Sequence, residues 1–247
     1  MRSLELNIDK TIATLYVSNA KDKYLGAGYL EAIRTAIQQI NHSNASVVIL
    51  KGSPEYFSAG ASQASLTSIN DVFAHYVSEI PRLLLSIKIP AIALMEGHAI
   101  GGGLALGLWC DHVFLAEESL YGANFQALGF TPGMGSTLAL EEYFGKPLAR
   151  RMIMTGELCK GRYLKALHCP IAYNIFPKKE LANQCQNLAT TLADIAPNSL
   201  QLLKKTLANR RLQQLEPALK EEEAMHKVLF SDPKTLTQIK QNYAASW

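Results

Sequence analysis

Long apolar runs are absent from this sequence. No stretch approaches the length of a membrane span, and the opening Met1-Arg-Ser-Leu-Glu-Leu-Asn7 lacks the apolar core of a secretory leader. Cysteine is scarce: Cys110, Cys159, Cys169 and Cys185 are scattered, with no Cys-x-x-Cys and no paired-histidine spacing. Neither a structural metal nor a disulfide scaffold is expected, and the pattern fits a reduced cytosol. Basic tracts are missing as well. A net charge of +3, from 24 Lys and Arg against 21 Asp and Glu, is too mild to signal nucleic acid or a membrane surface, and Lys204-Lys205 and Arg210-Arg211 read as solvated helix faces. Thr131-Pro-Gly-Met-Gly-Ser136 lacks the lysine of a phosphate loop, and Gly101–Leu106 does not fit the dinucleotide fingerprint, so neither ATP nor NAD is implied. The expectation is a soluble cytoplasmic protein without a metal or a bound cofactor.

What is present is enough apolar material for a full core, 48% of 247 residues. Leu4–Ile8 and Ile12–Val17 read as strands; Leu30, Ile33, Ile37 and Ile40 recur at helical spacing; Ser46–Leu50 reads as a buried strand. Strand then helix recurs at Ala91–Met95 and the glycine-led segment after it, and again at Val113–Ala116. The pattern predicts an α/β fold, a repeated ββα spiral over residues 1–170. After Pro170 the character becomes helical, with Lys178–Ile195, Ser199–Asn209, Leu215–Phe230 and Pro233–Tyr243 as expected helices in residues 171–247 of the same domain.

The chain is organised around Glu96-Gly-His-Ala-Ile-Gly101-Gly-Gly-Leu-Ala-Leu-Gly107, between a strand and an apolar helix. Adjacent glycines permit positive φ and let a ligand approach the main chain without meeting a Cβ. Free N–H groups at a helix start can hold an anion, or a carbonyl oxygen that becomes one. Tight helix packing or a turn would use the same residues. A second candidate for the same task is Phe57-Ser-Ala-Gly-Ala-Ser62, and two main-chain donors on one thioester oxygen make an oxyanion hole.

These segments, followed by Cys110-Asp111, Tyr121-Gly122 and Thr131-Pro-Gly-Met-Gly135, resemble the crotonase (enoyl-CoA hydratase/isomerase) superfamily over nearly the whole chain. The resemblance implies oxyanion donors at the N–H groups of Ala61 and Gly102, and a C-terminal helical region for trimerisation and for covering the active site. Two departures matter. Crotonase hydratases place water-activating glutamates where this chain has Ala105 and Phe125, and neither side chain can act as acid or base.

Met95-Glu-Gly-His98, Tyr121-Gly-Ala-Asn124-Phe125 and Gly129–Gly135 resemble one branch, the decarboxylases of polyketide β-branching cassettes, also called the second enoyl-CoA hydratase homologue. That branch acts on 3-methylglutaconyl groups carried as a phosphopantetheine thioester of an acyl carrier protein; CoA is the other carrier to consider. It carries a histidine matched here by His226 in Glu222-Glu-Ala-Met-His226. It also carries a lysine after the first oxyanion donor. No lysine lies between Lys51 and Lys88, and His75 falls where some members have it.

Read from the residues alone, His226 lies in the stripe of Leu215, Ala218, Leu219, Leu229 and Phe230, where Glu222 could hold it as a core histidine. His75 borders the apolar face of Val72, Phe73, Tyr76, Val77 and Ile80, a position that also suits solvent. His98 is expected to shape its loop, His112 is assigned no chemistry, and Asp111 is expected to bond nearby main chain.

By the resemblance, Ala61 and Gly102 stabilise a dienolate left by loss of carbon dioxide. Tyr76, Asn124, Phe125 and Ala105 are expected to border the substrate, although packing explains Tyr76 equally well, and Ala105 and Phe125 to keep water away. His75 is expected to donate the proton and His226 to stand near the leaving carboxylate, although the two are interchangeable at this stage. Expected partners are an acyl carrier protein and further copies in a homotrimer or a dimer of trimers. The rivals are a conventional hydratase or isomerase, an isomerase moving a proton with histidine, and an inactive homologue that only holds carrier protein.

Overall fold

The computed structural model of the chain describes residues 4–19, 21–26, 28–68 and 71–243, and for 71–77 the backbone alone. A hairpin comes first: β1 (Glu5–Asp9) pairs antiparallel with β2 (Ile12–Tyr16). Helix α1 (Tyr29–His42) follows, burying Tyr29, Ile33, Ile37 and Ile40 at helical spacing. Three ββα units come next: β3 (Val47–Lys51), β4 (Tyr56–Ser58), α2 (Gln63–Thr67) and α3 (Asp71–Leu85); β5 (Ala91–Met95), β6 (His98–Ile100) and α4 (Gly102–Leu108); β7 (His112–Ala116), β8 (Leu120–Gly122) and α5 (Phe125–Leu128). In each unit the first strand joins one sheet and the second strand the other. The large sheet runs β1-β2-β3-β5-β7-β10 and the small one β4-β6-β8-β9. This is the ββα spiral that the recurrence of strand and helix predicts.

Helices α6 (Ser136–Phe144) and α7 (Lys146–Thr155) lead to β9 (Leu158–Lys160), α8 (Gly161–Ala166) and β10 (Ile175–Phe176). Strand β10 lies past the change of character at Pro170 and still joins the large sheet beside β7. Helix α9 (Lys178–Ala193) covers one face of that sheet, setting Leu181, Cys185 and Ala189 against Val47, Ile49, Ile92, Leu94 and Phe114. The main core fills the other face. With both faces covered, β3 and β5 are near-continuous apolar runs rather than alternating ones.

Two helices were expected between Ser199 and Phe230, and the structure has one. Helix α10 runs unbroken from Pro197 to Phe230, 34 residues, before α11 (Pro233–Asn242). Pro217 lies inside it, and the lost N–H falls on an exposed side, where water can take the carbonyl one turn earlier. Its inward face reads Lys204, Ala208, Arg211, Leu215, Leu219, Glu222 and His226, a helical stripe in which four of seven residues are polar. Hydropathy alone breaks such a helix at the charged positions.

Lys204 and Arg211 therefore do not sit on solvated faces as expected. Lys204, 4% exposed, places Nζ 2.7 Å from Asp111 Oδ1, while Asp111 Oδ2 accepts the Ala91 N–H at the start of β5. Arg211 donates to the carbonyls of Leu108, Trp109 and Cys110 and packs its guanidinium over the Trp109 ring. Among the described residues, no helix is long and apolar enough to cross a membrane.

Candidate active site

The first loop is set by pairing with the segment before α1. Ala59 N–H donates to the Lys23 carbonyl and Leu25 N–H to the Gly60 carbonyl, which leaves the next amide, Ala61, without a strand partner. The second loop is set by β8: Gly101 N–H donates to the Gly122 carbonyl at 2.8 Å, and α4 begins at Gly102. Among the described residues, neither the Ala61 nor the Gly102 N–H donates to a protein acceptor. The loops touch, since a Cβ at Gly60 would lie 3.2 Å from Gly102 N and 2.9 Å from the Ile100 carbonyl oxygen. Gly60 has φ +71° and Gly101 φ +56°, conformations that residues with side chains rarely adopt.

Asn124 and Phe125 are buried against the triplet. A Cβ at Gly101 would lie 2.9 Å from Asn124 Oδ1 and 3.7 Å from the Phe125 ring. Ala105 is fully buried in the first turn of α4, its N–H bonded to the Gly101 carbonyl. Met134 and Leu25 stand over Gly102: a Cβ there would meet Met134 Sδ at 3.0 Å and Leu25 Cδ1 at 3.5 Å. Neither was anticipated, because nothing local in the sequence marks a lone Met or Leu as a neighbour of a distant glycine.

His226 reaches the same region from α10. Its Nε2 lies 2.9 Å from the Thr131 carbonyl, and its ring packs between Phe130 and Phe230, centroids 6.4 Å and 5.6 Å away. A carbonyl only accepts, so Nε2 carries the hydrogen and Nδ1 of the neutral ring keeps its lone pair. Burial pulls the imidazole pKa below its usual value, with the Thr131 and Pro132 carbonyls opposing that in part. The Thr131 hydroxyl is buried with no hydrogen-bond partner among the described residues.

Glu222 does not hold His226, contrary to expectation. Its carboxylate accepts from Gly135 N–H at 2.7 Å, Thr137 N–H at 2.9 Å and the Thr137 hydroxyl at 2.7 Å. Both side chains face one way on α10 but grip the two ends of a single turn, residues 131–137. His98 accepts the Leu120 N–H on Nδ1 and meets the Tyr56 ring edge-on, which shapes its loop.

His75 and Tyr76 lie in α3, and their side chains are outside the described residues. The C-terminal half of that helix is tied to α10 by Arg82, whose Nε and Nη2 each sit 2.7 Å from a carboxylate oxygen of Glu216. Among the described residues, no group of three His, Cys, Asp or Glu side chains is arranged to hold a metal ion.

Known proteins resemble this chain in sequence and fold. The enoyl-CoA hydratase/isomerase family matches residues 8–243. The bacillaene synthase decarboxylase PksI of Bacillus subtilis is 35% identical over 197 residues, covering 79% of this chain and 78% of its own. Among solved structures, the ECH2 decarboxylase domain of CurF from Lyngbya majuscula superposes with a TM-score of 0.85 at 31% identity, over 96% of this chain and 98% of that one. A structure from a dehydratase/decarboxylase enzyme couple involved in polyketide β-branching gives a TM-score of 0.88 at 30% identity, over 97% and 98%. With the motifs, the two-sheet spiral and a match across almost every residue in agreement, the chain belongs to the enoyl-CoA hydratase/isomerase, or crotonase, family.

Proposed function

We propose that this protein is a decarboxylase of polyketide β-branching, acting on a 3-methylglutaconyl-type thioester held on the phosphopantetheine of an acyl carrier protein. The carrying observation is the pair of unpartnered amides, Ala61 and Gly102, on two loops packed together, with Ala105 and Phe125 buried where a hydratase needs carboxylates. The polyketide decarboxylases among the relatives support the same reading.

In this reading the thioester oxygen accepts from both amides. The bond from the γ-carbon to its carboxylate breaks, carbon dioxide leaves, and the electron pair moves through the conjugated system onto that oxygen as a dienolate. Two fixed N–H groups in apolar surroundings stabilise that charge, and losing one such donor costs about 100- to 1000-fold in rate. The dienolate collapses by taking a proton at the α- or γ-carbon. His226, neutral with Nδ1 open, stands near the leaving carboxylate, and His75 on α3 supplies the proton. The substrate is both carrier and source of the acyl group, so no further cofactor enters. A homotrimer, or a dimer of trimers, is the assembly that goes with this reading, and exposed Leu202, Leu203 and Leu207 on α10 supply apolar surface for a subunit contact.

Mass spectrometry of carrier protein loaded with 3-methylglutaconate tests the reading. Wild-type protein should remove one carbon dioxide per carrier, and His226→Ala or His75→Ala should slow that loss at least 100-fold. An unchanged mass on several carrier domains overturns decarboxylation. A moved double bond without loss of mass makes the protein an isomerase, and binding without any change makes it a carrier-holding homologue.

A further inference from the structure

Met134 has a backbone conformation that its side chain disfavours. Its φ is +62°, in the left-handed region that non-glycine residues rarely enter, in a turn followed by Gly135 at φ +66°. Such a conformation persists only where the surroundings over-determine it, and they do so here. The Met134 carbonyl accepts the Trp109 indole N–H at 2.7 Å. The next amide, Gly135, and both the amide and hydroxyl of Thr137 donate to Glu222, 2% exposed, and the Ser136 hydroxyl donates to the Gly133 carbonyl. The result of this bracing is the placement of Met134 Sδ 3.0 Å from where a Gly102 Cβ would stand.

Gly102 carries one of the two free amides, so whatever lies over its Cα borders the acyl group bound there. A carbonyl oxygen about 2.9 Å from that amide sets the adjoining acyl carbons beside Gly102, on which the thioether stands. We propose that Met134 is a specificity-determining residue that limits the β-substituent of the acyl group at the oxyanion hole, and that Glu222 is the positioning residue that holds it there. This rests on the thioester reading above. Both side chains come to the site through long-range contacts. Glu222 is 87 residues from the amide it accepts.

Calorimetric binding of two inert pantetheine amides, of 3-methylglutarate and of 3-propylglutarate, which lack the double bond that loss of carbon dioxide needs, tests the assignment without requiring turnover. The carbon dioxide assay tests the reaction separately, so failure of one is not confused with failure of the other. Wild-type protein should bind the methyl compound at least tenfold more tightly than the propyl one. Met134→Ala should bring that ratio to near one, and Met134→Leu, of similar volume, should keep it.

Glu222→Gln faces an NH2 group toward at least one N–H donor and should lose the same discrimination. Combined with Met134→Ala it should add nothing, because both act through one side chain. Should Glu222→Gln fail to fold by circular dichroism, Thr137→Val, which removes one donor to the same carboxylate oxygen, takes its place. No discrimination in wild type, or full discrimination in Met134→Ala, overturns the role of Met134. Additive losses in the double variant overturn that of Glu222.

Discussion

Arg211 Nη2 sits 2.7 Å from the carbonyl of Leu108, the last residue of α4, while Nη1 reaches the carbonyls of Trp109 and Cys110 at 3.2 Å and 3.0 Å. One guanidinium thus closes the far end of the helix whose near end offers the Gly102 amide. Hydrogen bonds to a charged group contribute about 1.5–3 kcal/mol each, and three acceptors at one site do not add fully. Arg211→Met should therefore cost about 3 kcal/mol, read as a lower midpoint in urea with an unchanged m-value.

The buried pair of Lys204 and Asp111 fixes the start of β5 against α10. Removing one member strands the other charge, at about 3 kcal/mol or more. Lys204→Met should show that loss in equilibrium unfolding. Lys204→Met with Asp111→Asn should recover about 1 kcal/mol, since the amide oxygen still accepts the Ala91 N–H and no charge is left unpaired.

At Gly60 the constraint is the space between the two glycine loops of the candidate site. Gly60→Ala puts a methyl group 3.2 Å from Gly102 N in a left-handed backbone. Folding should weaken by about 1–2 kcal/mol, and decarboxylation should fall about 100-fold in a protein that still folds. Parallel circular dichroism and mass-shift rates check the two effects.

His226 makes stability depend on pH with a definite sign. Its folded pKa lies below the unfolded value of about 6.5, so between those two values the unfolded chain binds the extra proton. The contribution is complete above about pH 6.5, and it is lost as pH falls from there toward the lowered folded value. Burial lowers His98 and His112 in the same direction, so a difference measurement is needed. Unfolding free energies from pH 8 to pH 5 should drop more steeply in wild type than in His226→Gln.

The spiral was legible because its long strands are runs such as Val47–Leu50 and Ala91–Met95 between turn residues. The strands of the small sheet are three residues each, too short for any period to show. In the candidate site, the two loops at 57–62 and 96–107 could be marked because glycine beside a strand end is a local feature, while Ala61 and Gly102 within them were named by the family resemblance. Asn124 and Phe125 followed from their motif. Met134 and Glu222 could not, since a left-handed Met and a carboxylate shared by three distant donors leave no local pattern. The unity of α10 was hidden for a related reason: Lys204, Arg211, Glu222 and His226 occupy the inward stripe where apolar residues would have announced it.

Helix α10 also fixes an order of events. It is synthesised after every strand of both sheets and the helices that cross between them, at a rate of about 5–20 residues per second. A nascent chain ending near residue 196 has the strands, the glycine triplet and both loops, yet the end of α4 is uncapped, the turn at 131–137 is unbraced and His226 does not exist. The candidate site is therefore completed only when the last helices dock, and a chain that stops short of them is a spiral with an unfinished centre.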